Sequence, residues 1–161
     1  RYPERLLGAM FLVTKAAADD AAGREKRTLL AEAVSGGNQA IVPDAFAEVL
    51  FAPQTPQRKP DVVAEVRQWM EDTSAEGVIG GLLAMRDRDD YVARLADFAL
   101  PSLVVGAERD QAVPLEHSRV LAEKLRDAEL KVILGAGHMA NLEQPELFNA
   151  ALLGFLGGLK G

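Results

Sequence analysis

Two short apolar runs stand on either side of a helix-patterned stretch, and this arrangement restricts the fold more than any other feature of the chain. Residues 102–106, behind Pro101, and residues 131–134 have the length and apolar texture of strands covered on both faces. Between them, residues 114–126 repeat Leu115, Val120, Leu121 and Leu125 at helical spacing. Pro114 suits a first helical position, and Glu116 falls in the first turn, where the dipole favours an anion. Strand, helix, strand at this separation predicts a parallel crossover, right-handed by the usual rule. Residues 6–13 form a third apolar run of strand length. A closing helix is expected from Pro145 to about Leu156, with Leu147, Phe148, Ala151, Leu152 and Phe155 on one stripe and Gly157 and Gly158 ending it.

Between Thr14 and Ala99 the texture changes to Ala-rich, charged segments broken by Gly36-Gly37, Pro43, Pro53, Pro56, Pro60 and Gly80-Gly81. Helices are expected at 16–34, 44–50, 61–72, 75–85 and 90–98. An all-helical insertion between two strands of a parallel sheet reads as a lid over an active-site face; its plainer alternative is a long crossover with no binding role. The predicted organisation is a core strand segment at 1–14, a helical lid at 15–99 and a C-terminal core segment at 100–161. A chain of 161 residues with 48% hydrophobic and 26% charged residues suits one domain with a sizeable core. A net charge of −6 disfavours a nucleic-acid surface. Cysteine is absent, which rules out disulfides and thiolate metal sites and suits a reducing, cytoplasmic setting. No apolar run approaches the ~20 residues of a membrane span.

Each of the two later strands leads into a turn that holds a chemically useful side chain. The first turn carries Asp110; the second, Gly135-Ala136-Gly137-His138, carries a histidine. Adjacent parallel strands deliver such turns to the same carboxyl edge, where open α/β sheets hold ligands. An imidazole titrating near ~6.5 suits proton transfer, and a carboxylate on its other nitrogen fixes tautomer and orientation. Taken singly, Asp110 also reads as a turn former and His138 as part of a surface turn. Glu108 is the rival acid, and His117 falls on the expected helix after Pro114. Glu143, with Pro145 and Glu146, is expected to organise the amino end of the last helix. Ser35, before Gly36-Gly37, superficially imitates a nucleophile elbow, but its approach has helical texture; Ser74, Ser102 and Ser118 have no glycine elbow around them. Phe46, Trp69, Met70 and Leu83 are candidates for an apolar substrate pocket, as against simple helix packing. Arg86 and Arg88 would meet an acidic substrate or face solvent. Neither a dinucleotide or phosphate loop nor a His-rich metal pattern is present, so no cofactor and no metal is expected.

Tyr2-Pro3-Glu4-Arg5-Leu6, the strand ending Val13-Thr14-Lys15-Ala16, the stretch from Pro101 through Asp110 to Pro114, and Gly137-His138 through Pro145-Glu146-Leu147-Phe148 together resemble the α/β-hydrolase superfamily. The likeness is nearest to the 3-oxoadipate enol-lactonase-like and esterase branch. It runs along nearly the whole chain but corresponds to the C-terminal part of that fold, lid included. Ala107 stands where the family usually has Gly before its acid, and Val13 where an Asp is common. The resemblance implies about three parallel strands with flanking helices plus an all-helical lid. It makes Asp110 and His138 the last two members of a Ser…Asp…His triad. The nucleophile elbow and oxyanion hole would lie upstream of Arg1 or on a complementary chain, so the chain would be a fragment or one half of a split protein, inactive alone. The implied activity is cofactor-free cleavage of a small carboxylic ester or lactone. Two other functions stay open: a non-catalytic binding module, or dehalogenase, lyase or perhydrolase chemistry on the same frame.

Overall fold

The computed structural model describes residues 2–159, and its sheet is three parallel strands in the order β1 (Ala9–Leu12), β2 (Ser102–Ala107) and β3 (Ala128–Ile133). All six residues of β2 are buried. Alternate side chains of this central strand feed two layers. Leu103, Val105 and Ala107 pack with Ile133, Ala136, Ala140 and Phe148, while Val104 packs with Leu95, Leu121 and Leu125. Burying each of the larger β2 side chains contributes about 1.5–3 kcal/mol, which makes this strand the anchor of the sheet.

The flanking helices are α6 (Leu115–Lys124), which joins β2 to β3, then the single turn α7 (Ala140–Glu143) and the closing α8 (Pro145–Gly158). Between β1 and β2 come α1 (Ala21–Ser35), α2 (Ile41–Leu50), α3 (Thr55–Arg58), α4 (Pro60–Asp72), α5 (Ala75–Arg86) and a 3₁₀ segment, Val92–Asp97. This helical segment has its own core of Leu30, Ala31, Val34, Val42 and Leu82. A second cluster forms around Leu50, Phe51 and Val66. The two ends of the segment are clasped together: Tyr91 N donates to Ala16 O at 3.0 Å, Arg88 Nη2 to Ala17 O at 2.7 Å, and Ala18 N to Asp90 Oδ2 at 3.3 Å.

Several expected boundaries move, each for a local reason. The strand expected at 6–13 shrinks to Ala9–Leu12: Leu6 and Leu7 are exposed, and Val13, at φ 42°, leaves the extended region. A branched residue in that conformation costs about 1–3 kcal/mol and ends the ladder after its N–H has reached Val105 O at 2.8 Å. β3 starts earlier than 131 because Glu129 and Lys131 point outward from a half-buried edge, hiding the strand from a reading based on continuous apolarity. The helix expected at 16–34 starts at Ala21, since Asp20 caps it by accepting from Gly23 N at 2.7 Å. The helix expected at 44–50 begins at Ile41, with Pro43 absorbed in its first turn. The helix expected at 90–98 is a 3₁₀ segment at Val92–Asp97, and the four-residue α3 lies between the expected helices.

Candidate functional site

Asp110 lies three positions beyond β2 and His138 five beyond β3, so parallel pairing brings both turns to the same end of the sheet. There His138 Nδ1 and Asp110 Oδ2 are 2.8 Å apart. The Asp110 carboxylate is fully buried and also accepts from Ala112 N at 2.9 Å and Val113 N at 2.8 Å through Oδ1. These two backbone donors build a local Asx-type turn that fixes the carboxylate before the histidine meets it. In the neutral imidazole, donation of Nδ1–H to this carboxylate leaves the lone pair on Nε2. The ring is 26% exposed, and among the described residues Nε2 has no hydrogen-bond partner. An accessible imidazole lone pair backed by a buried carboxylate is equipped to take and return a proton.

The histidine turn is held from both sides. On one side Glu108 Oε2 accepts from Gly135 N at 2.9 Å, and Arg109 N donates to Ala136 O at 2.8 Å. On the other, Gln54 Nε2 donates to Gly135 O at 2.7 Å, and Met139 N to Leu50 O at 3.1 Å. A methyl group on Gly137 would fall on the backbone of Phe51 and Ala52, so only glycine lets the two segments approach this closely. Glu108, the rival acid, is therefore a cap on the turn and not the partner of His138. Glu143 is also placed differently from the expectation. It is 2% exposed and is turned away from the start of α8, where Gln144 occupies the cap position. Its carboxylate accepts from Gly137 N and Ala52 N, both at 2.9 Å, and from Thr55 Oγ1 at 2.5 Å.

A cavity of about 450 Å³ opens beside the Asp110 turn, with Lys15, Arg27, Phe46, Gln111, Ala112 and His117 in its wall. Of the four expected pocket residues, Phe46 lines it. The other three do not: Trp69 is 49% exposed, Met70 packs with Leu50, Phe51 and Val66, and Leu83 packs with the α1–α5 core. Helical spacing identified these residues as apolar but not which layer each would face. Arg86 pairs with Asp87 at 2.8 Å, and Arg88 serves the clasp at Ala17. Asp19 is buried between Lys15 at 2.6 Å and Arg27 at 3.2 Å. Burial alone would raise its carboxyl pKa, but the hydrogen bonds and charges of Lys15 and Arg27 outweigh that and hold it below the usual carboxylate range.

No serine of the chain sits in a strand-to-helix elbow. Ser35 ends α1, Ser74 caps α5 by accepting from Gly77 N at 3.1 Å, Ser102 begins β2, and Ser118 is buried on α6 against Gly106. No group of three or more potential metal ligands occurs among the described residues. Nor is any described helix long and apolar enough to cross a membrane.

Comparison with known proteins agrees with this architecture. A family model described as the alpha/beta hydrolase family matches residues 5–151. The chain is 30% identical over 98 residues to AB hydrolase superfamily protein YisY of Bacillus subtilis, covering 58% of this chain and 36% of that protein. It is 27% identical over 153 residues to 3-oxoadipate enol-lactonase 2 of Acinetobacter baylyi, covering 94% and 55% respectively. Among solved structures, a malate-bound thermophilic esterase from Thermogutta terrifontis superposes with a TM-score of 0.91 at 28% identity, over 97% of this chain and 57% of that one. The chain thus spans roughly a third to just over half of the length of these proteins.

Proposed function

The chain belongs to the alpha/beta hydrolase family, and from that premise we propose that it supplies the acid–base half and the helical lid of a serine hydrolase for small carboxylic esters or lactones. Asp110 is the acid, His138 the base, and the nucleophile comes from outside residues 1–161. The observation that carries this reading is the 2.8 Å contact between His138 Nδ1 and Asp110 Oδ2. A serine hydroxyl meeting Nε2 loses its proton as Oγ bonds to the substrate carbonyl carbon. The imidazolium, its charge offset by Asp110, returns that proton to the departing alkoxide. Water then repeats the exchange at the acyl-enzyme and frees both the acid and the serine.

Two further features support the assignment. Among the described residues β1 pairs only with β2, and Met10 within it and Leu6 and Leu7 just before it are exposed. A bare apolar strand edge of this kind is suited to cover by another strand, as a nucleophile-bearing segment would provide. The cavity beside Asp110, with Phe46 of the 15–99 segment in its wall, has room for a small acyl group or lactone ring. No cofactor is needed for this chemistry.

The test is to co-express residues 1–161 with a nucleophile-bearing segment, taken from the coding sequence upstream of Arg1 or from a partner chain, and to assay p-nitrophenyl esters. The chain alone should be inactive. In the assembled enzyme, Asp110→Asn should lower turnover roughly 10⁴-fold, and His138→Ala should abolish most of it. Full activity in His138→Ala would remove that residue from the mechanism. A serine in the supplied elbow supports ester hydrolysis, whereas an aspartate there would redirect the reading to dehalogenation. No elbow in either source would leave a binding module.

A further inference from the structure

The mechanism above leaves two buried carboxylates, Asp19 and Glu143, without a role, and Glu143 is the one bonded to the histidine turn. Glu143 is 2% exposed, and each of its carboxylate oxygens is engaged. Oε1 accepts from the backbone N–H of Gly137, the residue immediately before His138. Oε2 accepts from Ala52 N, in the link between α2 and α3, and from Thr55 Oγ1, at the first residue of α3. Lys59, at the start of α4, adds a donor to the same corner: its Nζ reaches Glu143 O at 2.8 Å. A group intended only to end a helix would not need donors from a segment some 90 positions away, nor would it need burial. Burying an ionised carboxylate is costly unless donors surround it, and here three surround it.

We propose that Glu143 is a positioning residue for His138, and that it acts by tying the seat of the helical segment, Ala52 and Thr55, to the histidine turn. This inference rests on His138 being the base. The carboxylate bridges two backbone N–H groups that otherwise have no reason to face one another, Gly137 N from the turn and Ala52 N from the helical segment. The turn cannot swing away from the helical segment without breaking one of these bonds, and Gly137 lies so close to the Phe51–Ala52 backbone that an added β-carbon would fall on it. The imidazole, already held by Asp110 at Nδ1, is thereby fixed at its backbone as well. Displacement of the helical segment is transmitted to the base through this side chain, alongside the Gln54–Gly135 and Leu50–Met139 hydrogen bonds.

Glu143→Gln is the direct probe. It keeps the shape but turns one acceptor oxygen into an N–H₂ donor, which then faces either Gly137 N–H or Ala52 N–H. The measurement is imidazole NMR on the ¹⁵N-histidine-labelled chain, where His117 serves as the internal reference. In Glu143→Gln the exchange of the His138 Nδ1 proton should accelerate at least roughly tenfold, the scale of losing hydrogen bonds to a buried charge, while the His117 signals stay put. Thr55→Val removes one donor and leaves the carboxylate, so it should produce a smaller change in the same direction. In the assembled hydrolase, Glu143→Gln should lower kcat roughly 10–100-fold with KM little changed, as expected for a misplaced base. If His138 exchange is unchanged in a folded Glu143→Gln chain, the proposal is overturned. Should that variant fail to fold, an unaltered His138 signal in Thr55→Val overturns it instead. The imidazole signal needs no turnover, so a failure of this inference stays distinct from a failure of His138 as base, which only the His138→Ala assay reports.

Discussion

At the scale of single residues, Gly106 shows how tightly the acid-bearing strand is built. A β-carbon added there would lie 2.5 Å from Leu115 Cδ1 and 2.8 Å from Ser118 Oγ, so the first turn of α6 sits directly on the strand. Gly106→Ala should therefore cost about 1–3 kcal/mol through overpacking, read as a lower denaturation midpoint with an unchanged denaturant slope. A neutral result would mean that α6 can lift off β2 without loss. Asp110 and His138 were legible in the sequence because each follows directly on an apolar run, where chain direction alone decides which end of the sheet it reaches. Glu143 was not legible. Its partners Thr55 and Ala52 lie 88 and 91 positions away, and no local pattern reports a contact between a single turn after β3 and a link between two helices. The nearest available signal was the pair Gly137 and Glu143, six positions apart, which marks a tight turn with an acid behind it.

At the scale of elements, a helix start marked by a proline or a cap is legible in the sequence, whereas an end is less so: α8 runs on through Gly157 and Gly158, the pair expected to stop it. The helix expected at 61–72 matches α4, where Pro60 fixes the start, and the one expected at 75–85 matches α5, where Ser74 caps it. For α1 the Ala-rich lead-in at 16–20 looked helical, yet Asp19 and Lys15 pair with one another outside the helix and Asp20 takes the cap. The four-residue α3 is too short for periodicity to reveal; Thr55 and Pro56 at its start are the only cue. The core shared by α1, α2 and α5 is separate from the clusters on the two faces of the sheet, and Leu82, 2% exposed, is its deepest α5 residue. Leu82→Ala should leave a cavity costing about 2–5 kcal/mol. Because the cluster is separate, hydrogen exchange should show that cost first in α1, α2 and α5 amides, with β2 and β3 still protected at mild denaturant. Equal loss of protection in β2 would mean that the helical segment and the sheet open together.

At the scale of the whole molecule, two of the ties that seat the helical segment differ in chemistry. Near Glu143 the joint is built mainly of hydrogen bonds to backbone, whereas near Asp19 it is ionic. Lys15, just past β1, and Arg27, on α1, both pair with the buried Asp19 carboxylate, and Arg24 Nε adds a bond to Asp19 O at 3.2 Å. The ionic joint gives stability a pH dependence whose sign follows from the depressed Asp19 pKa. A carboxylate bound more tightly to Lys15 and Arg27 in the folded than in the unfolded chain stabilises fully above the ordinary aspartate value of ~3.9. That contribution is lost as pH falls through the lower, folded value. Asp19→Asn removes the charge and strands two partly buried cations, so at pH 7 it should destabilise by about 1–3 kcal/mol. As the pH is lowered below about 4 the wild-type chain should lose stability faster than the variant, and the gap between their urea midpoints should narrow. A gap that stays constant from pH 7 to about 3 would mean that Asp19 carries no excess ion-pair stabilisation in the fold, and that the joint between β1 and α1 is held by packing and backbone contacts alone.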